Sequence, residues 1–205
     1  MRLTIAILTW EYPPRIVGDM AYYVEKLAQE LSKENDVCVI TCHDAPYLHE
    51  KVSNSLEIYR VPNPVKPHVN VVTWALSLTS EIQRIVADIY YDKSRKFDII
   101  DDHEWQFVTA ATALKRAFGI PFVLTFHSLE SKRSSDPSAP LSACIKGLER
   151  VGAYESDKII TRSKLLKSEV ESVHQVPPSK VRYIPESTSW LGETLDTYNQ
   201  VIAHQ

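Results

Sequence analysis

An α/β chain built on a single doubly wound parallel sheet is what the 205 residues predict, on three observations. Short apolar, β-branched runs alternate with helical periodicities from one end to the other, the pattern of strands joined by crossover helices. The runs are apolar nearly throughout, as strands covered on both faces must be. Polar clusters follow several of them directly, where the carboxyl ends of parallel strands lie.

The elements follow in order. Met1 to Leu8 carries Thr4, Ile5 and Ile7 in a run long enough for a central strand and too short to cross a membrane. Pro13 and Pro14 forbid continuing strand or helix, so the chain leaves the sheet there. Beyond Gly18, the positions Met20, Ala21, Val24, Leu27, Ala28 and Leu31 recur at helical spacing. Val37 to Thr41 is the second strand and completes a βαβ unit. Residues 42–55 are polar and aperiodic and read as a loop, and Leu56 to Val61 reads as a short strand closed by Pro62 and Pro64. Ala75, Leu78, Ile82, Ile85, Val86 and Ile89 make one face of a long helix, with Trp74 as a core or edge anchor near its start. Phe97 to Asp101 is a strand, 106–118 a helix stopped by Gly119, and Pro121 to Thr125 a strand. Residues 131–140, rich in Ser and Pro, read as an exposed, mobile loop. Leu141, Cys144, Ile145, Leu148 and Val151 mark a helix, Lys158 to Thr161 a strand, Ser163 to His174 a helix, and Val181 to Pro185 the last strand.

Composition bounds the function. With 44% apolar and 24% charged residues the chain is an ordinary globular one, of a size for one domain or one domain with an appendage. A net charge of −3 with no dense Lys/Arg run argues against non-specific binding of nucleic acid or anionic membranes. Trp10, Glu11 and two prolines follow the first apolar run without a small-residue cleavage site, so a cytoplasmic location is expected. Cys38 and Cys42 precede His43, but a structural zinc site needs a second ligand pair, and none is present. Reduced thiols, no metal and no cofactor are the expectation.

The stretch from Trp10 to Ser32 organises the rest. Gly18 and Asp19 stand at a helix N-terminus, whose free N–H groups and partial positive charge suit a phosphate, and Arg15 is placed to clamp the same anion. On these residues alone, a turn relieved by Gly18 and a helix capped by Asp19 account for the pattern equally. Trp-Glu-Tyr-Pro-Pro-Arg-Ile-Val-Gly, residues 10–18, resembles the opening of the N-terminal domain of the glycogen and starch synthases, two-domain GT-B glycosyltransferases. In that family a basic residue followed by Gly-Gly forms the loop near the donor diphosphate. Arg15, Gly18 and Asp19 match it, with the second glycine replaced by a carboxylate.

Two further clusters carry the resemblance. Asp101, Asp102, His103 and Glu104 read by themselves as a metal site, an acid/base site or a polar loop, although consecutive residues point in different directions and do not converge on one ion. The segment resembles the His-x-His-Asp-Trp motif of the family: His103 and Trp105 match, Asp101 stands for the first His and Glu104 for the Asp. His127 by itself is more readily a satisfied structural histidine than a catalytic one, but Thr125-Phe126-His127-Ser128 resembles the family's Thr-x-His motif, whose histidine lies beside the transferred sugar. The resemblance thus implies His127 and Glu104 as catalytic residues, and Arg15, Gly18, Asp19, His103, Trp105 and Ser128 as substrate-binding ones, without a metal.

The likeness extends through Ile159 to Ser163 and Val176 to Pro185, and so implies a Rossmann-like domain, the N-terminal half of a GT-B fold, over residues 1–186. Relatives continue into a donor-binding domain bearing two glutamates eight positions apart, and no two glutamates here have that spacing. Leu191, Leu195, Tyr198 and Ile202 form a helical stripe in residues 187–205, which resembles the family's terminal crossover helix, with an ordinary last helix as the alternative. The expectation is the acceptor-side half of a hexosyltransferase, acting on a sugar or glucan and completed by a separate donor-binding subunit or by self-association, and not competent alone. A non-catalytic glucan-binding or regulatory protein of the same descent is the alternative. An independent nucleotide enzyme lacks support, since neither Gly-x-Gly-x-x-Gly nor a phosphate-loop lysine is present.

Overall fold

The computed structural model describes residues 2–92 and 95–204. Eight strands form one sheet in the order β3-β4-β2-β1-β5-β6-β7-β8. They are β1 (Thr4–Thr9), β2 (Asp36–His43), β3 (Leu48–Lys51), β4 (Leu56–Pro62), β5 (Ile99–His103), β6 (Phe122–Phe126), β7 (Lys158–Thr161) and β8 (Val181–Tyr183). Every neighbouring pair is parallel except β3 with β4. The chain runs outward from β1 in one direction and from β5 in the other, so the switch of strand order, and the crevice it opens, lies between these two carboxyl ends.

Alternation along the strands divides the core. Ala6, Leu8, Ile100, Phe122, Leu124 and Ile159 face α2 (Val71–Asp92), α3 (Val108–Phe118), α5 (Pro140–Glu155) and α6 (Lys164–His174). Ile5, Ile7, Ile99, Val123 and Ile160 face α1 (Met20–Leu31) and α7 (Trp190–Ala203). The six apolar positions predicted to form one face of α2 are all buried. Gly119 ends α3 in the left-handed conformation.

Four local expectations change. The predicted loop over residues 42–55 contains β3, an exposed edge strand with no apolar alternation, held by antiparallel pairing and by the Arg60–Glu50 ion pair. Residues 131–133 fall in the short helix α4 (Glu130–Arg133) instead of a loop, because Arg133 is drawn in by three carboxylates. Strand β5 runs two residues beyond its predicted end: Asp102 pairs with Leu8 and Leu124, and His103 with Thr9 and Thr125, since the backbone ladder is indifferent to side-chain polarity. In α7 the buried face is Trp190, Thr194, Thr197, Tyr198 and Val201, rotated from the predicted stripe, whose other members are partly buried against the same core. The two threonine hydroxyls satisfy themselves on the carbonyls of Trp190 and Glu193, so the helix presents them inward without unpaired groups.

Candidate functional site

A cleft of about 980 Å³ lies at the carboxyl edge of the sheet, between the segments that follow β1, β5 and β6. Gly18, Asp19, Glu104, Trp105, His127 and Ser128 line it, with Tyr23, Lys26, Arg133, Arg162 and Glu186 among the other walls. Arg15 and His103 are not on its wall. Arg15 donates to the Trp10 carbonyl at 2.7 Å, pairs with Asp44 at 3.2 Å and lies over the rings of Trp10 and Trp74. His103 is fully buried one layer behind His127.

The first loop is closed on itself. Glu11 accepts the N–H groups of Val17 and of Gly18, the latter at 2.6 Å, and Arg60 on β4 holds the Pro13 carbonyl at 2.6 Å. The amides that suit an external anion therefore already carry an internal carboxylate. Asp19 occupies the N-cap position of α1 with φ −68° and no side-chain capping bond. A Cβ on Gly18 would meet only Glu11 Oε1 at 3.6 Å, so neither position demands glycine for its backbone.

Glu104 is the keystone between β5 and β6. It adopts φ 69°, rare for a residue with a side chain, and so turns its carboxylate back across the strand ends. Oε1 accepts the backbone N–H of His127 at 2.6 Å and of Ser128 at 2.8 Å, and Oε2 accepts Arg133 Nη1 at 2.7 Å. Burial raises its carboxyl above the usual range, against the opposing pull of Arg133 and the two amides. All three partners are donors, so the group is held as a carboxylate. The same Arg133 reaches Glu149, whose carboxyl burial pushes up to about 7. These partners were invisible in the sequence, where Arg133 sat in a polar run and Glu11 in a recognised motif with no role attached.

His127 presents its ring to the cleft, and burial, with His103 and Arg162 adding to it, pushes the imidazole well below its ordinary range, so it is neutral. Tyr23 packs edgewise on it with centroids 5.2 Å apart, and the Arg162 guanidinium covers Tyr23 at 3.8 Å. Glu186 bridges Lys26 at 2.9 Å and Arg162 at 3.1 Å on the far wall. Asp102 points the other way, into the α2/α3 face; both of its oxygens lack a partner among the described residues, and burial raises its carboxyl well above the usual range. Among the described residues no group of three or more His, Cys, Asp or Glu is arranged to hold a metal ion, and no helix is long and apolar enough to cross a membrane.

The arrangement is an open cleft with polar groups set among apolar walls and one neutral histidine whose backbone Glu104 holds, suited to hydrogen-bonding a polyhydroxyl ligand. The model of Glycosyltransferase Family 4 matches residues 20–187. An uncharacterized glycosyltransferase of Methanocaldococcus jannaschii is 36% identical over 184 residues, covering 89% of this chain and 45% of the relative. A glycogen synthase of Mycobacterium tuberculosis is 28% identical over 182 residues, 82% of this chain and 44% of that one. The chain thus spans about half the length of the curated relatives it matches. Among solved structures, a sucrose-phosphate synthase chain from Thermosynechococcus elongatus superposes with a TM-score of 0.70 at 14% identity, over 98% of both chains, a likeness of fold.

Proposed function

Because this chain belongs to Glycosyltransferase Family 4, whose model it matches over most of its length, we propose that it forms the acceptor-side half of a hexosyltransferase. Residues 1–186 are the acceptor domain, and α7, within the segment 187–205, packs on it. The carrying observation is the cleft at the β1/β5 switch point with neutral His127 on its floor, backed by the anchored Glu104. His127 and Ser128 meet sugar hydroxyls, and Trp105 and the Gly18–Asp19 edge bound the acceptor. Arg15 and His103 act from behind the wall, one by holding the first loop and the other by holding His127. Glu104 serves the reaction by fixing the His127 backbone. Transfer from a nucleotide sugar to a sugar or glucan then needs a donor-binding unit opposite the cleft, supplied by another polypeptide or by further chain, which closes the site against water. Cys38 and Cys42 are buried and no disulfide joins the described cysteines, which suits a cytoplasmic setting.

A second reading has one specific observation in its favour. Glu11 occupies the loop amides that suit a diphosphate, so a glucan-binding or regulatory protein without transfer is consistent with a loop that no longer receives one. Calorimetric titration of the 205-residue chain distinguishes the two, with maltooligosaccharide in one series and UDP- and ADP-glucose in another. The oligosaccharide is expected to bind, with about tenfold weaker affinity in His127→Ala, one hydrogen bond's worth. The nucleotide sugars are expected not to bind. Hexosyl transfer by the chain alone, or nucleotide-sugar binding without oligosaccharide binding, overturns the acceptor-half proposal. Oligosaccharide affinity with no donor-bearing partner recovered from its own cell extract favours the regulatory reading.

A further inference from the structure

Behind His127 runs a buried file of polar groups, of which the proposed transfer uses only His103. Strand parity collects it: Asp101 and His103 on β5, with Thr125 on β6, all point to the α1/α7 face. His103 Nδ1 lies 3.0 Å from His127 Nε2. On its other edge, His103 Nε2 lies 3.2 Å from Asp101 Oδ2, an ion-pair distance whose angle falls short of a formed hydrogen bond. Asp101 accepts Tyr198 Oη at 2.5 Å on the same oxygen and Thr125 Oγ1 at 3.1 Å on the other. Asp101, His103, Thr125 and Tyr198 are each no more than 1% exposed.

Two imidazoles that face each other across one hydrogen bond share a single hydrogen, and only one of them donates. The choice is made farther back. A carboxylate beside His103 Nε2 favours a proton on that nitrogen and leaves His103 Nδ1 as a lone pair, so His127 Nε2 must carry the hydrogen between the rings. Tyr198 and Thr125 both donate to Asp101, so its two oxygens are engaged as acceptors, which reinforces that direction. The nitrogen left to the cleft, His127 Nδ1, is then bare. The other charged or titratable groups facing the pair are Tyr23, packed on both rings, and Arg162 above it, whose positive charge also disfavours an imidazolium.

We propose that Asp101 and Tyr198 are positioning residues which, through His103, select the His127 tautomer with a bare Nδ1, so that His127 meets a sugar hydroxyl as hydrogen-bond acceptor. Tyr198 lies on α7, so the choice depends on the seating of the last helix, 97 residues from Asp101. Only the mention of a sugar rests on the acceptor reading; the tautomer is measured with no ligand present.

Long-range 1H–15N spectra of the imidazoles in the 205-residue chain at pH 7 test it. The wild type is expected to show His127 with a protonated Nε2 and a bare Nδ1. Asp101→Asn replaces the carboxylate beside His103 Nε2 by a neutral amide, removes the charge that favours a proton on that nitrogen, and is expected to shift His127 toward the Nδ1–H form, as an Asp-to-Asn change beside a histidine does in hydrolase triads. Tyr198→Phe, which keeps the ring and loses the hydroxyl, is expected to give a mixture of the two forms. A wild-type His127 with its hydrogen on Nδ1 overturns the proposal even if Asp101→Asn fails to fold. A folded Asp101→Asn variant with an unchanged His127 tautomer also overturns it, and an unchanged Tyr198→Phe removes Tyr198 and α7 from it. None of these outcomes bears on oligosaccharide affinity, so failure here is separable from failure of the acceptor reading.

Discussion

Replacing Glu104 tests how the floor of the cleft is held. Its carboxylate serves the amides of His127 and Ser128 and the Arg133 guanidinium, at 2.6 to 2.8 Å, from a site 4% exposed. Glu104→Ala leaves two part-buried amides without a partner, at about 1–3 kcal/mol each, and leaves Arg133 between Glu130 and Glu149. Arg133 keeps those two carboxylates and is partly exposed, so the two amides dominate and about 4 kcal/mol is expected in total. The left-handed backbone at φ 69° offers an internal control. Alanine inherits that strain and glycine does not, so Glu104→Gly is expected to be about 1 kcal/mol less destabilised than Glu104→Ala although it keeps no more contacts. Urea unfolding at pH 7 reads both, since with an m-value of about 2 kcal/mol/M a loss of 4 kcal/mol moves the midpoint by about 2 M. A loss under about 1 kcal/mol for alanine, or alanine equal to glycine, would refute the account of Glu104 as a strained, charge-assisted clamp.

Three other perturbations have expected outcomes. At Gly152 a Cβ would stand 2.6 Å from Val108 Cγ1 and 2.7 Å from Leu124 Cδ2, so Gly152→Ala should push α5 off the sheet at a cost of about 1–3 kcal/mol; an unchanged melting temperature would contradict that contact. His174 is buried against Phe126, and burial, with Arg150 adding to it, pushes its imidazole down to about 4. The unfolded chain therefore binds the extra proton between about pH 6.5 and 4, and the contribution of neutral His174 is complete above that window and lost on acidification. The stability difference between wild type and His174→Gln should narrow by up to about 3 kcal/mol from pH 7 to pH 4, and a difference independent of pH would sink the idea. Asp102 has the opposite sign: with its folded carboxyl raised above the unfolded value, the folded state holds the extra proton and stability falls as pH rises. Asp102→Asn should be more stabilising at pH 7 than at pH 4, which denaturant titrations at the two pH values will decide.

Much of the fold was legible because its causes are local. The β-branched run before Pro13 and Pro14, the six-position face of α2 and the left-handed Gly119 each announce themselves within a few residues. Edge strand β3 was not legible, since an exposed strand needs no apolar pattern, and α4 exists through Arg133 meeting carboxylates drawn from other elements. The site was legible in the same partial way. Residue types after strand ends marked the cleft, and the family motifs marked His127, Trp105 and the Gly18 loop.

What the sequence by itself determined was the order of the elements, the faces they bury and the edge on which polar residues gather. The tertiary structure alone decided what those polar residues do to one another. It set Glu11 on the amides of Val17 and Gly18, turned Arg15 to the Trp10 carbonyl, spent Glu104 on the backbone of His127, and brought Tyr198 to Asp101. Periodicity is a property of neighbouring residues, whereas these partners stand 5 to 97 residues apart. The longer of these pairings meet only when strand order and parity carry them to the same face of the same sheet.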